Sequence, residues 1–385
     1  MNVRVLYDYR IFDYQRIGGI SRCFVENYKC LPNDVKASFG VLDTDNVYLQ
    51  TLGFNNTNFK YEHFITMRHF PYKRKIFRWF NNLLNGSYSQ ADYNKQYSIK
   101  KLKEGDFDVF HPTFFDDYFL DYLNGKPFVL TIHDMIPELY PEYFDRNDEQ
   151  IVNKKKLAPL ASKIIAVSES TKRDIIRLLN VSEEKIEVVY HGSPEFNPTT
   201  KESPRIITSQ YILFVGERHW YKNFELFVNH VVSVLKRHPD LMIVCTGKDF
   251  TEEESDLLTK KGVRNRFVTY FFRDDNELYN LYHYANFFIY PSSYEGFGIP
   301  ILEAYNAQCP ILLNRASCFP EIAGDAAVYF TEQNGICDLE EKIEYMLSMS
   351  SHAKQELIDR QLERLNKYSW VLSANKLANI YKSVL

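Results

Sequence analysis

The sequence predicts an α/β protein with two doubly wound, Rossmann-like domains that face a central cleft. Short apolar strands alternate with helical stretches in both halves of the chain, a pattern typical of parallel sheets covered on both faces. Residues 192–209, with three prolines and several Ser and Thr residues, interrupt this alternation and form a predicted linker. The length of 385 residues corresponds to roughly two to three domains, each able to bury its own core.

The first domain is predicted over residues 1–200. Helical stretches such as Ile20–Tyr28 and Ser170–Leu179 lie between its apolar strands. The predicted strands are Val3–Tyr7, Ala37–Leu42, Val109–His111, Phe128–Ile132, Ile164–Val167 and Ile186–Tyr190. Because ligands of such sheets bind at the carboxyl ends of the strands, we expect this edge to face the cleft.

The second domain is predicted over residues 201–367, where the alternation restarts. Its predicted strands are Tyr211–Val215, Leu241–Thr246, Val268–Phe272, Phe287–Tyr290 and Ile311–Leu313. The tail, residues 368–385, has the apolar periodicity of a helix.

Composition and charge exclude several classes of protein. A net charge of -4 and a pI near 6.2 argue against a nucleic-acid partner, which usually requires a basic domain. The six cysteines form no C-x-x-C pair and no zinc spacing, so no metal site is expected. The chain starts with a predicted strand instead of a signal peptide, and no apolar run approaches the ~20 residues of a membrane span. We therefore expect a cytoplasmic protein.

The segment Ser293–Ala304 carries the most chemistry. Gly296 and Gly298 let the backbone approach a ligand closely, and the helix that follows offers free amides and a positive dipole end suited to a phosphate. Glu295 lies in the loop and Glu303 about one turn into the helix, with seven residues between them. A ligand with a diphosphate and hydroxyl-rich sugars would use all of these groups. An ordinary strand–helix loop with two glutamates near a helix start is the structural alternative.

Two further loops follow the first strand of each domain. Arg218 and Lys222, after the strand that ends before Gly216, can converge on a diphosphate and neutralise charge as it leaves. Gly18 and Gly19 can bring a loop of the first domain close to the same diphosphate. The alternatives are a solvated basic loop and a simple tight turn. The glycines do not form G-x-G-x-x-G, which disfavours a dinucleotide-binding oxidoreductase.

Polar residues also lie at strand ends in the first domain. His133, in the sequence Thr131–Asp134, can hydrogen-bond a sugar at the mouth of the cleft, although a His-Asp pair is often only structural. His111 and Thr113 form a second cluster of this kind, predicted to line the acceptor side.

The segment Ser293–Ala304 resembles the glutamate–seven–glutamate signature of retaining glycosyltransferases with the GT-B fold, specifically glycosyltransferase family four. The resemblance implies that Glu295 orients the donor sugar and that Glu303 binds the ribose of the nucleotide. The backbone residues implied to contact the diphosphate sugar are Gly296, Phe297, Gly298 and Ile299.

The other loops are similar to further motifs of this family. The resemblance implies a donor-phosphate motif at Gly216, Arg218 and Lys222, a glycine loop at Gly18 and Gly19, and a donor-sugar contact at His133. It implies a base or phosphate contact at Arg273. The chain departs from the family at Phe271-Phe272 and at His191, which puts the base pocket and the interdomain turn in doubt. The residues implied to act in catalysis are Glu295, Arg218, Lys222 and His133.

The resemblance implies a retaining transfer of a hexose from a nucleotide diphosphate sugar, without a metal or other cofactor. The form of the loop at Arg16–Arg22 is similar to mannosyltransferases of bacterial surface polysaccharide assembly, so a guanosine-diphosphate mannose donor is the first expectation. The acceptor would be a saccharide or a lipid-linked saccharide. The first domain would hold the acceptor, the second the donor, and the terminal helix would cross back to the first domain.

Residues 68–84 form a basic amphipathic segment with aromatic residues. Such segments bind anionic membranes, which would place the enzyme at the inner face of the cytoplasmic membrane. Packing of the apolar face on its own domain is the alternative.

Three other functions compete with the transferase. An epimerase or hydrolase of the same fold would need no acceptor. A non-catalytic partner subunit of another transferase would often lack the basic pair Arg218 and Lys222, which this chain has. A nicotinamide-dependent oxidoreductase is disfavoured by the missing glycine fingerprint.

Overall fold

The computed structural model describes residues 2–54, 90–194, 196, 204–218, 220–333 and 335–385. The two predicted doubly wound domains are present, and each has its own parallel sheet with helices on both faces. The basic segment 68–84 lies outside the described residues.

The N-terminal domain contains two three-stranded parallel sheets that continue one another. Their orders are β2-β1-β3 and β4-β5-β6, and a parallel bridge between Phe110 and Phe128 joins the two. The strands are β1 (Val3–Tyr7), β2 (Val35–Phe39), β3 (Val109–His111), β4 (Val129–Ile132), β5 (Lys163–Ala166) and β6 (Ile186–Val188). The helices are α1 (Arg10–Tyr14), α2 (Gly19–Cys30), α3 (Val47–Gln50), α4 (Gln90–Glu104), α5 (Ile136–Leu139), α6 (Glu149–Leu160) and α7 (Glu169–Leu179).

The C-terminal domain is a six-stranded parallel sheet of order β12-β11-β10-β7-β8-β9. Its strands are β7 (Tyr211–Phe214), β8 (Met242–Thr246), β9 (Phe267–Tyr270), β10 (Phe287–Tyr290), β11 (Ile311–Asn314) and β12 (Val328–Phe330), followed by a short antiparallel pair, β13 (Glu332–Gln333) and β14 (Ile336–Cys337). The helices are α8 (Phe224–Arg237), α9 (Glu252–Lys260), α10 (Asp275–His283), α11 (Ile299–Asn306), α12 (Phe319–Ala323), α13 (Leu339–Ser348), α14 (Ser351–Leu365) and α15 (Trp370–Ser383).

The strand order reverses between β7 and β10, which are hydrogen-bonded neighbours. Strands β8 and β9 extend the sheet in one direction, and β11 and β12 extend it in the other. The loops after β7 and β10 therefore leave a crevice at the carboxyl edge, where sheets of this kind bind ligands.

The terminal helix α15 packs in the core of the N-terminal domain. Leu377, Ile380 and Tyr381 belong to the same buried cluster as the strands of that domain. The hydroxyls of Tyr381 and Tyr7 are 3.0 Å apart, and Lys382 pairs with Asp34 at 2.6 Å. The last residues of the chain thus support the first strand.

Candidate active site

The loop after β10 delivers a helix N-terminus to the crevice. Gly298, which precedes α11, has a φ of +88°, a left-handed conformation that favours glycine. The first-turn amides of α11 have no partner within the helix, and its dipole makes this end positive. Pro300 lies in this first turn, where it costs no helical hydrogen bond.

A second helix N-terminus, from the other domain, reaches the same point. Gly18 is the extended N-cap residue of α2, and Gly19 begins the helix. A Cβ atom at Gly19 would lie 3.4 Å from the Ile299 side chain, so the start of α2 touches the start of α11. Two positive helix ends from opposite domains therefore lie next to one another, and helix ends of this kind are suited to binding anions.

Lys222 and Glu295 lie together beside these helix ends. The Lys222 ammonium is 2.6 Å from the Glu295 carboxylate, and both side chains are largely buried. The turn that carries Lys222 is fixed to the β10 loop, because Ser293 donates its backbone N–H to Tyr221 at 2.8 Å. Glu295 is fixed in turn by Ser317, whose hydroxyl donates to its carbonyl at 2.7 Å. Sequence reasoning predicted both charged residues but not Ser317.

Glu303 is buried, and the pKa of its carboxyl group differs from the ordinary value. The Tyr282 hydroxyl donates to Glu303 at 3.1 Å. Burial raises the pKa of Glu303 to about 7, against the opposing effect of the nearby Arg22 guanidinium. Arg22 comes from α2 in the other domain and pairs with Asp275 at 3.2 Å. Sequence reasoning missed both Arg22 and Asp275, although Arg22 lies just after the glycine loop.

The backbone at Gly296 packs tightly against the N-terminal domain. A Cβ atom there would lie 1.7 Å from the His133 carbonyl oxygen, so only glycine fits. The Ser168 hydroxyl donates to the Gly296 carbonyl at 2.6 Å, and the Thr171 hydroxyl donates to it at 3.1 Å. These hydroxyls lie at the start of α7. There the backbone amide of Glu169 also donates to the Glu321 carboxylate of the C-terminal domain at 2.7 Å. Ser168, Thr171 and Glu321 were not predicted.

His133 lies next to this contact as a neutral imidazole. Burial, followed by the neighbouring His191 and His111, holds the pKa of His133 well below its ordinary value. The ring stacks on His191 at 5.9 Å and lines a small cavity of about 20 Å³, and its Nε2 atom is buried without a hydrogen-bond partner among the described residues. A neutral imidazole ring can hydrogen-bond a ligand without carrying a positive charge itself.

His111 and Thr113 do not line an acceptor surface, which corrects that prediction. Both are about 1% exposed. His111 bonds to Tyr381 at 2.7 Å and to Thr131 at 2.8 Å, and Thr113 donates to the buried Asp8 at 2.5 Å. These bonds support the sheet.

The Arg218 side chain is bonded within the C-terminal domain. Its guanidinium pairs with Glu254 at 3.1 Å and donates to the carbonyls of Lys248 and Asp249 at 2.8 and 3.0 Å. It also lies 4.9 Å from the centre of the Phe250 ring. The predicted contact of Arg218 with a diphosphate would require these bonds to be exchanged.

The remaining predicted residues differ in exposure. Gly216 has a φ of +105° and donates its amide to Thr246 at 3.1 Å, which shapes the start of the basic loop. Arg273 is largely exposed and pairs with Glu277, a neighbour on the same segment. The Phe297 side chain is buried, with its ring centroid 4.8 Å from that of His191. Its backbone is therefore the part of Phe297 that is left to contact a ligand.

Two further features of the described part of the chain concern metal ions and membranes. There, no three His, Cys, Asp or Glu side chains are grouped so that they could hold a metal ion. None of the helices in the described ranges combines the length and the apolar character that crossing a membrane requires.

Two family models match the chain, one for each domain. The model described as Glycosyltransferase Family 4 matches residues 66–194, and the model described as Glycosyl transferases group 1 matches residues 197–363. Together they cover most of the chain.

Similar curated proteins include two O-antigen mannosyltransferases. O-antigen chain mannosyltransferase B from Escherichia coli is 26% identical over 66% of this chain and 70% of its own length. O-antigen chain mannosyltransferase RfbU from Salmonella typhimurium is 28% identical over 52% of this chain and 55% of its own length. An uncharacterized glycosyltransferase from Methanocaldococcus jannaschii is 27% identical, and the match spans 57% of this chain and 59% of that protein.

Solved structures with the same fold cover nearly the whole chain. HepE from Anabaena, crystallised in complex with UDP-glucose, has a TM-score of 0.69 at 17% identity, with 99% of this chain and 100% of that chain covered. WaaG, a glycosyltransferase involved in lipopolysaccharide biosynthesis, has a TM-score of 0.64 at 15% identity, with 98% and 99% covered. The predicted GT-B fold is thereby confirmed. The chain belongs to the GT-B glycosyltransferases that combine a family 4 domain with a group 1 domain.

Proposed function

We propose that this glycosyltransferase moves a hexose, with mannose as the first choice, from a nucleotide diphosphate sugar to a saccharide or lipid-linked saccharide in surface polysaccharide biosynthesis. The observation that carries the proposal is the meeting of the α2 and α11 N-termini at Gly19 and Ile299. Two positive helix ends suit the two phosphates of such a donor better than either end alone.

The residues around this point fit distinct parts of the donor. Lys222 and the amides after Gly19 and Gly298 would stabilise the leaving diphosphate. Glu303 would accept hydrogen bonds from the ribose. Neutral His133 would hydrogen-bond the transferred sugar, and Glu295 would orient it.

We propose that the transfer is retaining and needs no metal ion. The leaving diphosphate would be stabilised by the Lys222 ammonium and the helix ends, which supply positive charge from the protein itself. The leaving phosphate would accept the proton of the attacking hydroxyl on the same face of the sugar, so that the configuration at the anomeric carbon is kept.

Mannose is favoured because the O-antigen relatives are named mannosyltransferases. The structural relative HepE was crystallised in complex with UDP-glucose, so UDP-glucose belongs in the panel of donors that is screened. We propose a cytoplasmic enzyme that works at the inner face of the membrane, with residues 68–84 as the contact.

The function is tested in two steps. Thermal-shift screening against a panel of nucleotide sugars is expected to select GDP-mannose. Incubation of the selected donor with and without an oligosaccharide acceptor, followed by proton NMR of the product, is expected to show transfer with the donor's anomeric configuration. Epimerisation or hydrolysis of the donor at the same rate with and without acceptor would contradict a transferase. A product with inverted anomeric configuration would contradict retention.

A further inference from the structure

The turn Trp220–Lys222 connects the site to a groove outside it. The Trp220 backbone has a φ of +53°, and Asn223, which follows the turn, has a φ of +55°. A bulky residue rarely adopts this left-handed conformation, and residues held in it cluster at functional sites. The Asn223 side chain holds the turn by donating to the Pro291 carbonyl at 3.1 Å. The same turn thus places Lys222 against Glu295 and places Trp220 in the groove outside the site.

Trp220 meets aromatic residues of the N-terminal domain. Its ring stacks on Tyr143 with centroids 5.2 Å apart and planes 14° apart, and Phe144 approaches edge-on at 5.6 Å. Trp220 is 45% exposed and Tyr143 is 41% exposed. Large aromatic rings that stay this exposed, and that come from both sides of a cleft, indicate a ligand-contacting surface.

These rings line a groove of about 890 Å³, within the size range of ligand sites. We call it the aromatic groove and define it by Tyr143, Trp220, Glu225, Asn229, Glu253 and Asp256. Its other charged lining residues are Arg218, Glu254 and Lys260, and Arg218 is already paired with Glu254. Negative charge therefore predominates.

This charge selects among possible ligands. A phosphate, a diphosphate or an anionic lipid head group would be repelled by Glu225, Glu253 and Asp256. A neutral, hydroxyl-rich ligand can donate hydrogen bonds to the carboxylates and to the Asn229 amide. The apolar faces of sugar rings can at the same time pack on Trp220 and Tyr143. Saccharides combine both properties.

We propose that the aromatic groove binds the neutral glycan chain of the acceptor, beyond the sugar unit that reacts. The proposal rests on the proposed transferase function and adds the subsite that would recognise acceptor length. The shared turn would align the bound chain with the reacting centre, because Trp220 and Lys222 are two residues apart on it.

The experiment uses the donor selected in the screen and α-linked mannose oligosaccharides of one to five units. Trp220→Ala and Tyr143→Ala are expected to raise KM for the longest acceptor about tenfold, the effect of losing ~1.4 kcal/mol of stacking. KM for the single unit, KM for the donor and kcat are expected to stay unchanged. Trp220→Phe, which keeps a ring, is expected to retain most of the affinity. Tyr345→Ala, which removes an aromatic ring that is 51% exposed on α13, is the control.

Two outcomes would overturn the proposal. The first is an unchanged dependence of KM on acceptor length in both alanine variants. The second is an equal rise in KM for the donor and for every acceptor, which would assign the rings to domain closure. Titration of the intrinsic tryptophan fluorescence with the five-unit oligosaccharide, without donor, tests the groove separately, and the same titration of Trp220→Phe identifies the part of the signal that comes from Trp220. If no nucleotide sugar is turned over but this titration saturates in the wild type and not in Tyr143→Ala, the proposed function fails and the groove stands.

Discussion

At the scale of single residues, the two cations predicted to bind the diphosphate have different surroundings. Lys222 contacts Glu295 in the crevice, whereas Arg218 is bonded to Glu254 and to backbone carbonyls of its own domain. The two cations therefore have different partners: Lys222 is paired with a carboxylate of the β10 loop, and Arg218 is bonded to groups around the loop after β8.

Substitution of each cation is expected to separate these roles. Lys222→Met should lower kcat by roughly 10²–10³-fold, the usual effect of losing one group that stabilises charge in the transition state. It should also lower Tm, because it leaves Glu295 as an unpaired, largely buried charge. Arg218→Met should lower the stability of the C-terminal domain by about 3–5 kcal/mol, because it leaves Glu254 as an unpaired, largely buried charge. Kinetics and thermal unfolding measured on both variants, with the exposed Lys236→Met as control, check this. A normal Tm for Arg218→Met would restore the view that it serves the ligand alone.

The altered pKa of Glu303 predicts how donor binding depends on pH. Because burial raises this pKa from an ordinary value near 4.5 to about 7, the carboxyl is half protonated at neutral pH. Only the ionised form accepts two ribose hydrogen bonds, so KM for the donor should fall as pH rises from 6 to 8. Glu303→Gln should have a higher KM that does not change over this range.

The same shift affects stability, with a defined sign. A raised pKa in the folded state means that the protonated carboxyl contributes stability below pH 4.5 and that this is lost as pH rises through 7. Glu303→Gln, which is never charged, should therefore gain Tm relative to wild type between pH 5 and pH 8. A constant difference in Tm over this range would contradict the pKa.

At the scale of secondary-structure elements, the contact between the β4 and β10 loops fixes how closely the domains approach. The Gly296 backbone lies against the His133 carbonyl, and hydroxyls of the first turn of α7 hold its own carbonyl. The glycine is thus required by the neighbouring domain and not by its own φ angle.

Gly296→Ala is expected to keep the domains apart. Its methyl group would overlap backbone, which cannot rotate away, so the loops must separate by an ångström or more. Such a displacement typically costs about 10²-fold in turnover. Gly125→Ala, at a positive φ with no atom within 4 Å of the added Cβ, tests glycine replacement without the overlap. Small-angle scattering should show a larger radius of gyration for Gly296→Ala only, and an unchanged radius with normal kcat would refute the contact.

The elements that the sequence predicts well are those whose signal is local. Strands Val3–Tyr7, Val109–His111 and Phe287–Tyr290 have the predicted bounds, because each is a short run of mainly apolar residues bounded by polar residues or breakers. The start of α11 was also predictable, from its glycines and Pro300.

Pairs that form across the cleft could not be predicted in this way. Arg22 and Asp275 are 253 residues apart, and Glu169 and Glu321 are 152 apart, so no local pattern links them. The orientation of Arg218 toward its own domain likewise depends on carbonyls of the next strand–helix loop. His111 and Thr113 were misjudged because a strand end can be covered by a later element, here α15 for His111.

At the scale of the whole molecule, the C-terminal helix packs beside the first strand of the chain. Helix α15 follows the C-terminal domain in sequence but completes the core beneath β1. The chain passes from the N-terminal to the C-terminal domain near Ser193 and returns near Tyr368. These two segments lie side by side, since the Ser193 amide donates to the Tyr368 carbonyl at 3.0 Å. The two domains are therefore joined by two chain segments.

Leu377→Ala in α15 should destabilise the N-terminal domain, although it lies near the C-terminus. Removing this buried side chain is expected to cost about 2–5 kcal/mol. Leu372→Ala, in the same helix but 55% exposed, should have little effect. Hydrogen exchange is expected to show faster exchange in Val3–Tyr7 for Leu377→Ala and normal exchange in Tyr211–Phe214. Loss of protection in the C-terminal sheet instead would contradict this assignment of α15.

The central claim is that a nucleotide diphosphate sugar binds between the two domains through both helix ends. A crystal structure with the nucleotide sugar selected in the thermal-shift screen tests it most directly. We expect the diphosphate within hydrogen-bond distance of the Gly19 and Ile299 amides and of the Lys222 ammonium, with the ribose on Glu303. A diphosphate bound away from Gly19, Ile299 and Lys222 would contradict the account.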